Sequence, residues 1–444
     1  MKLLMVSLGC DKNLVDSEKM LGILTSRGFS LTDDESEAEV AVVNTCCFID
    51  DAKKESIDRI FELSRLKETA KLKVLIAAGC MAERYKEEIL EEIPELDGIV
   101  GTTGIGGIAN AVESALAGVR KKEFGDISVD PKLAPSNRIL TTGGHYAYLK
   151  IAEGCDKYCT YCAIPKFRGH YRSFPMEVLV EEASVLASGG VRELIIVAQE
   201  TTLYGTDLYG RKSLHVLLKK LASIEGLHWI RLLYCYPEEI YPELIGVMME
   251  EPKICHYLDL PIQHASDSVL KRMNRRTSKE DLIALVQKLR EEIPDIVLRT
   301  TLITGFPGET EEEHGELMAF IGEMKFDRLG VFEYSREDGT AAAAMKPQIK
   351  KSVKKLRYSE LMSAQQKISL KHNIDRKGQI LEVFVEGSLP EDDVYIGRSY
   401  GDAPGIDGFV FFRSEAQHMT GDFVKVRITA ASEYDLHGEE MNEV

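Results

Sequence analysis

Three short apolar runs, KLLMVSLGC, VAVVNTC and KVLIAAGC, each end in a cysteine: Cys10, Cys46 and Cys80. Each run is too short and too β-branched for a core helix, so each reads as a fully buried parallel strand. Polar, helix-like segments follow at 15–27, 51–65 and 82–92. The unit strand–Cys–helix therefore recurs at intervals of about 35 residues, the length of a βαβ repeat. In an open parallel sheet, ligands sit outside the carboxyl ends of the strands, so the three cysteines converge on one edge. Three thiolates there point to a metal or an iron–sulfur cluster. A single strand-end cysteine would read as a buried structural thiol. A lipid-attachment signal at Gly9-Cys10 would need an uninterrupted apolar stretch of roughly 7–15 residues, and Ser7 breaks this one. Cys47, next to Cys46, has its side chain pointing elsewhere and is read as a spectator.

At 444 residues the chain has room for about two to four domains. No apolar run approaches the roughly 18 residues of a membrane helix, and no targeting segment is visible, so the expected compartment is the cytoplasm with no membrane contact. Nine cysteines, an odd number in a long chain, argue against a disulfide framework and for metal or redox use. The formal charge of -17 repels nucleic acid overall and suits a basic partner.

The expected fold class is α/β in three regions. Region 1–120 is an N-terminal parallel α/β domain carrying the three cysteine units, with its last strand near 98–101. A stretch containing Pro, Ser, Asn and Gly, about 125–144, reads as a linker. Region 141–372 alternates strand candidates (YAYLKIAEG, ELIIVAQE, HWIRLLYCYP, YLDLPIQHA, IVLRTTLITGFPG, RLGVFEYSR) with helical patterns such as 176–188, 214–224 and 279–292. Six units predict a parallel but incomplete (β/α)6 barrel, because a closed barrel of this kind has eight. Polar residues cluster at its strand ends: Gln199-Glu200, Tyr236-Pro237, Gln263-His264 and 305–309. A basic helix from about 350 to 372 closes the region. Region 374–444 alternates apolar and polar residues in ILEVFVEG, DVYIGRS, GFVFFRS and DFVKVRITAA, which predicts a small antiparallel β-barrel.

The most specific stretch is EGCDKYCTYCAIPKFRG, which spaces Cys155, Cys159 and Cys162 as C-x3-C-x2-C directly after the first barrel strand. Bacterial ferredoxins use a different run with a fourth cysteine, and zinc sites show paired C-x2-C elements or histidines. Three thiolates can hold three irons of a 4Fe-4S cluster and leave the fourth open to a ligand. Structural zinc would need Cys235 or Cys255 as a fourth donor, and both otherwise read as core thiols. His264 has no second histidine at ligand spacing.

This stretch, on the first strand of a six-unit barrel, resembles the radical S-adenosylmethionine (SAM) superfamily. The likeness extends over nearly the whole chain. SLGCDKNLVDSE, NTCCFID and AAGC look like the amino-terminal domain of the methylthiotransferases. GVRELIIVAQETTLYG, RLLYCYPEEI, LDLPIQHASDSVLKRMNR, TTLITGFPGET and YSREDGTAA resemble the family's barrel segments, and the last region is similar to the TRAM domain, a substrate-binding module. Departures are Cys47, where relatives often carry a small residue, and Ala198, where many have Gly. The resemblance implies two 4Fe-4S clusters, one held by Cys155, Cys159 and Cys162 and the catalytic one, the other by Cys10, Cys46 and Cys80. It implies that one SAM methylates sulfur at the auxiliary cluster and another supplies the radical that removes hydrogen from an unactivated C–H. Gln199, Glu200, Gln263 and Thr301, at barrel strand ends, are the candidate SAM contacts; each also reads as a strand-end polar residue satisfied by backbone.

Two branches of the family differ in substrate. One modifies an isopentenyl-adenosine of tRNA; the other, RimO-type, modifies the β-carbon of an aspartate in small-subunit ribosomal protein S-twelve. From Gln379 to the end, four basic residues face fourteen acids, about -10, which disfavours RNA and favours a basic ribosomal protein. SLGCDKNLVDSE also looks like the protein-modifying branch. Against this stand two basic clusters, Lys271, Arg272, Arg275 and Arg276, and Lys166, Arg168 and Arg172 with interleaved aromatics, a mixture that can bind RNA. The expected partners are thus the ribosomal protein, with tRNA the alternative, and an electron donor such as flavodoxin or ferredoxin; nothing demands more than a monomer. A non-catalytic iron–sulfur carrier is the remaining reading, and it leaves the open iron and the barrel without purpose.

Overall fold

A computed structural model describes residues 1–129, 138–389 and 393–441. Part of the expected linker, 130–137, lies outside the described residues.

In the first domain β1 (Lys2–Ser7), β2 (Ser30–Leu31), β3 (Val40–Thr45), β4 (Val74–Gly79), β5 (Gly98–Val100) and β6 (Lys121–Glu123) form one parallel sheet. The order is β2-β1-β3-β4-β5-β6. Each face of β3 and β4 meets an apolar layer: Ala41, Val43, Leu75 and Ala77 on one side, Val40, Val42, Val74 and Ile76 on the other. That two-sided burial is why these runs are continuously apolar. Strand order reverses between β1 and β3, and the crevice at such a reversal is where open α/β sheets bind ligands. β6 was not expected. Its sequence, KKE, has no apolar signature because it pairs at the sheet edge just past residue 120. The helix expected over 82–92 is two helices, Cys80–Tyr85 and Glu87–Glu92, broken at Lys86 with φ +44°.

In the second domain β7 (Tyr146–Lys150), β8 (Ala152–Glu153), β9 (Arg172–Ser173), β10 (Glu193–Val197), β11 (Trp229–Leu232), β12 (Ile254–Asp259), β13 (Val297–Thr304) and β14 (Arg328–Glu333) follow. Six of them form the parallel sheet β7-β10-β11-β12-β13-β14, open between β7 and β14. β8 and β9 make a separate antiparallel pair. The sheet's residues alternate between two layers. Leu149, Leu194, Ile196 and Leu258 pack outward against the helices, while Tyr148, Ile195, Trp229, Tyr257 and Val297 face inward. The inner layer is completed by the other two domains, through Val15 from the first and Phe384 and Ala403 from the third. The closing helix runs Lys351–Asp375.

The third domain is a closed five-stranded barrel: β15 (Ile380–Leu389), β16 (Val394–Ser399), β17 (Val410–Arg413), β18 (Phe423–Ala431) and β19 (Leu436–Glu440), in the order β15-β16-β17-β19-β18. The sequence predicts four antiparallel strands. The fifth, LHGEE, is short and polar, and it closes the barrel by pairing in parallel with β17. This domain docks on the amino ends of the barrel strands. Phe384 stacks on Phe423 at 4.5 Å, and both meet Trp229 at the start of β11; such pairs add about 0.5–1.5 kcal/mol each beyond buried area. Beneath them the fully buried Glu193 accepts from Arg231 at 2.7 Å and from Arg398 at 2.6 Å. Burial pushes the Glu193 pKa up, but the two guanidiniums outweigh it and hold the carboxyl below its usual range.

This interface corrects the charge count. Of the fourteen acids, Glu382 and Glu386 pair with His228 and His145, Asp402 with Arg328, and Asp407 with Arg299 and Tyr257, all on the barrel. Glu386, Asp402 and Asp407 are withdrawn into this interface and hold the domain in place, while Glu382 stays exposed at its rim.

Candidate active site

The first triad sits on three adjacent strands. Cys10 caps the amino end of α1 (Asp11–Ser26), Cys46 follows β3, and Cys80 opens its helix directly after β4. Gly9 and Gly79 turn the chain with φ of +88° and +87°. A Cβ on Gly9 would stand 2.7 Å from Cys46 Cβ and 2.9 Å from its Sγ, so only glycine lets β1 and β3 present their cysteines side by side. Asn13 ties the rim together, donating to the Leu8 and Thr45 carbonyls at 3.0 Å. Burial pushes the Cys46 and Cys80 thiols up, with Arg168 the main opposing influence at Cys80. Cys47 is fully buried in the apolar layer with Leu4 and Val43, and burial pushes its thiol up to about 11.

Arg168 joins this triad to the barrel. It is 1 % exposed, and its Nη2 donates to Cys80 Sγ at 3.2 Å and to Asn13 Oδ1. Its Nη1 donates to Asp16 at 2.9 Å and Glu153 at 3.1 Å. Lys150 also pairs with both carboxylates. Gln199 then donates to the other oxygen of Glu153 at 2.9 Å. Burial pushes the Glu153 pKa up, yet Arg168 and Lys150 outweigh it and hold the carboxyl at about 2. α1 therefore carries buried polar groups around its circumference, being clamped between two domains.

The second triad lies on the loop after β8. Cys155 and Cys159 are buried and Cys162 is half-buried. The loop is pinned by Cys155 N–H to the Gly169 carbonyl at 3.1 Å, and by Thr160, which donates through N–H to Met273 at 3.1 Å and through Oγ1 to Arg272 at 2.8 Å. Gly154 repeats the positive-φ step before cysteine, at +79°. Burial pushes Cys155 up to about 12 and raises Cys162 as well.

Of the candidate SAM contacts, Gln263 and Thr301 are main-chain neighbours at 2.9 Å, with Gln263 at φ +71°. Gln199 and Glu200 stand together at the end of β10, two strands away from β12. Glu200 is fully buried. One oxygen accepts from Thr202; the other accepts no hydrogen bond and has the Lys157 ammonium 3.9 Å away, and Gln199 Oε1 accepts none either. Burial pushes the Glu200 pKa up to about 7. The segment after β11 spans both triads: Tyr234 donates to Asp11 beside Cys10 at 3.0 Å, and Tyr236 Oη lies 4.0 Å from Cys159 Sγ.

Comparison with known proteins gives three family matches. Residues 2–101 match uncharacterized protein family UPF0004, 149–321 the radical SAM superfamily, and 378–440 the TRAM domain. Curated relatives include the ribosomal protein uS12 methylthiotransferases RimO of Lachnoclostridium phytofermentans, 58% identical over 438 residues, and Pelotomaculum thermopropionicum, 54% over 440; each alignment covers 99% of both chains. The chain belongs to the RimO family. In fold it is similar to the radical S-adenosylmethionine methyltransferase TsrM from Kitasatospora setae, with a TM-score of 0.53 at 15% identity over 74% of this chain and 72% of that one.

Membership in the RimO family makes the chain a radical-SAM enzyme and brings with it a 4Fe-4S cluster and SAM. The C-x3-C-x2-C loop fits such a cluster: three free thiols, two buried and one half-buried, on a loop pinned by main-chain bonds, beside strand ends where Gln199 Oε1 and Glu200 Oε2 accept no hydrogen bond. Among the described residues no group of three Cys, His, Asp or Glu side chains is poised to chelate a single metal ion. Cys235 and Cys255, considered above as zinc donors, are buried in different apolar layers.

The basic clusters weighed above as an RNA-binding mixture are only partly at the surface. Arg168 and Arg172 are interior, the latter donating to the Ile127, His170 and Arg168 carbonyls. Arg275 is buried over the Tyr236 ring, and Arg272 pairs with Glu313 at 2.9 Å. Only Lys166, Lys271 and Arg276 of the seven remain exposed. Sequence reasoning missed Asp16, Lys150 and Glu153, whose role depends on contacts between domains. It also passed over a visible signal: the Gly-Cys step occurs three times, at 9–10, 79–80 and 154–155.

Proposed function

We propose that this chain is a radical-SAM methylthiotransferase that places a methylthio group on the β-carbon of an aspartate in small-subunit ribosomal protein uS12, using two 4Fe-4S clusters. Cys155, Cys159 and Cys162 hold the catalytic cluster, and Cys10, Cys46 and Cys80 the auxiliary one. Gln199, Glu200, Gln263 and Thr301 contact SAM. The observation that carries the reading is the pair of three-cysteine rims on two domains, reached from one strand-end segment through Tyr234 and Tyr236. When bound, the clusters and SAM supply one-electron reduction, hydrogen-atom removal and donation of sulfur and methyl. The protein's part is orientation and exclusion of water.

Arg168 supplies fixed positive charge at Cys80, which favours the thiolate that an iron must have. Gln199 has one amide end committed to Glu153 and the other free, so it couples the SAM side to the Arg168 network. Glu200 Oε2 accepts no hydrogen bond and has only the Lys157 ammonium, 3.9 Å away, so a second ammonium at hydrogen-bond distance would complete its pairing.

Support for the protein substrate comes from the name shared by the relatives and from the burial of three of the seven basic residues that would have favoured RNA, a fourth, Arg272, being half-buried and paired with Glu313. A low-potential carrier such as flavodoxin or ferredoxin supplies electrons, and the chain works as a monomer in the cytoplasm; no helix among the described residues is long and apolar enough to cross a membrane. The domains act as units at 1–120, 141–372 and 374–444. Mass spectrometry of uS12 and of tRNA from cells lacking this chain tests the reading. The expected result is uS12 without its methylthio group and unchanged tRNA; the reverse pattern overturns it in favour of the tRNA substrate.

A further inference from the structure

Lys12 is the anomaly among the buried cations of this site. It is 6 % exposed, two residues from Cys10, with its Nζ 3.1 Å from the centroid of the Tyr234 ring. Other interior cations have carboxylates: the buried Lys150 and Arg168 share Asp16 and Glu153, the buried Lys157 pairs with Glu239, and the half-buried Arg299 with Asp259. Lys12 has neither an ion pair nor a side-chain hydrogen bond among the described residues. The nearest acid in sequence, Asp11, is already engaged by the Tyr234 hydroxyl at 3.0 Å. A lysine ammonium is rarely buried without a partner, because an aromatic face replaces only part of its hydration.

The position of Lys12 says what the missing partner is. Tyr234, under the ammonium, belongs to the same strand-end segment as Tyr236, whose hydroxyl lies beside Cys159. Lys12 therefore lies at the boundary between the two cysteine rims, in the first turn of α1, the helix that Cys10 caps. The carbon to be modified in an aspartate is bonded directly to its side-chain carboxylate. A carboxylate held at the first turn of α1 leaves that carbon one bond away from a fixed point.

We infer that Lys12 is the specificity residue of this site: its ammonium, backed by the Tyr234 ring, binds the side-chain carboxylate of the substrate aspartate. The inference rests on the protein-substrate reading above. An asparagine in the same place presents a neutral amide to a buried ammonium and forfeits the charge-assisted bond. SAM also carries a carboxylate, so the test must separate the two sources.

The experiment uses the anaerobic, cluster-loaded full chain with two synthetic uS12 peptides, one with the target aspartate and one with asparagine there. Peptide and SAM dissociation constants are measured by calorimetry for wild type, K12M, K12Q and K12R, with iron content and melting temperature as folding checks. Wild type should prefer the aspartate peptide by about ten- to a hundredfold, the usual range for a hydrogen bond to a charged group. K12M and K12Q should lose that preference by weakening the aspartate peptide to the level of the asparagine one, and K12R should keep much of it. In turnover the loss should fall on KM more than on kcat. Retained preference in K12M and K12Q overturns the inference, as does weakened SAM binding with the preference intact, which assigns Lys12 to the SAM carboxylate. If K12M fails to fold, K12Q, K12R and the wild-type comparison of the two peptides still decide. Wild type that binds neither peptide instead overturns the protein-substrate reading itself.

Discussion

Arg168 Nη2 lies 3.2 Å from Cys80 Sγ, although the two residues belong to different domains. The same guanidinium pairs with Asp16 of the first domain and Glu153 of the second. One buried side chain thus fixes the auxiliary rim relative to the barrel.

Replacing Arg168 by Met should be severe. Asp16 and Glu153 would be left with Lys150 as their one cation in a dry interior, and breaking such a pair costs about 3–5 kcal/mol. R168K should lose less, because it keeps the charge but not the fork that reaches Cys80 and Asn13 together. Anaerobic denaturant unfolding measures this; an R168M as stable as wild type would contradict the coupling.

Gly79 tests the Gly-Cys step. Its φ is +87°, and an added Cβ would lie 2.1 Å from Asn44 Oδ1 and 2.9 Å from the Thr45 carbonyl. G79A should cost about 1–3 kcal/mol in backbone strain alone and displace Cys80. The expected readout is a lower melting temperature with loss of about half the iron, the remainder staying at Cys155, Cys159 and Cys162. Full iron occupancy in G79A would show that the cradle tolerates a side chain.

Much of this architecture was legible in the sequence, because buried parallel strands declare themselves as continuous apolar runs. β3 and β4 are read directly for that reason. β6 and β19 were not, because KKE and LHGEE form by pairing at an edge and at a barrel seam, where no apolar period is required. The cysteine rims were found by recurrence. The Arg168 network was not, since its members are spread from Asn13 to Gln199 and are polar in a way that reads as solvated surface. For the same reason the acids of the last domain were counted as free charge when Glu386, Asp402 and Asp407 in fact hold it to the barrel.

That docking makes its own prediction. R398M removes one of two guanidiniums from the fully buried Glu193 and leaves Glu386 with His145 alone. A loss of about 3 kcal/mol or more is expected, with faster proteolysis between Asp375 and Ile380, where the last helix meets the β-barrel. Unchanged proteolysis would mean that the aromatic contacts of Trp229, Phe384 and Phe423 suffice.

Glu200 gives a pH dependence. Its pKa is raised from 4.5 to about 7 by burial. Between those values the folded chain holds a proton that the unfolded chain has released, so stability falls as pH rises. The fall is complete above about pH 7 and amounts to about 3 kcal/mol at most. E200Q removes it, so SAM-free E200Q should gain on wild type by more at pH 8 than at pH 6 in paired melts. An equal gain at both pH values would contradict a carboxyl whose burial outweighs its pairing with Thr202 and Lys157.

The central claim is that two separate three-cysteine rims each hold a 4Fe-4S cluster. The direct measurement is iron per chain after anaerobic reconstitution, in wild type and in the triple variant C10A/C46A/C80A. About eight irons should fall to about four, with the cluster at Cys155, Cys159 and Cys162 still visible by electron paramagnetic resonance. Iron that remains near eight in the triple variant, or zinc in place of iron at the first rim, would contradict the account.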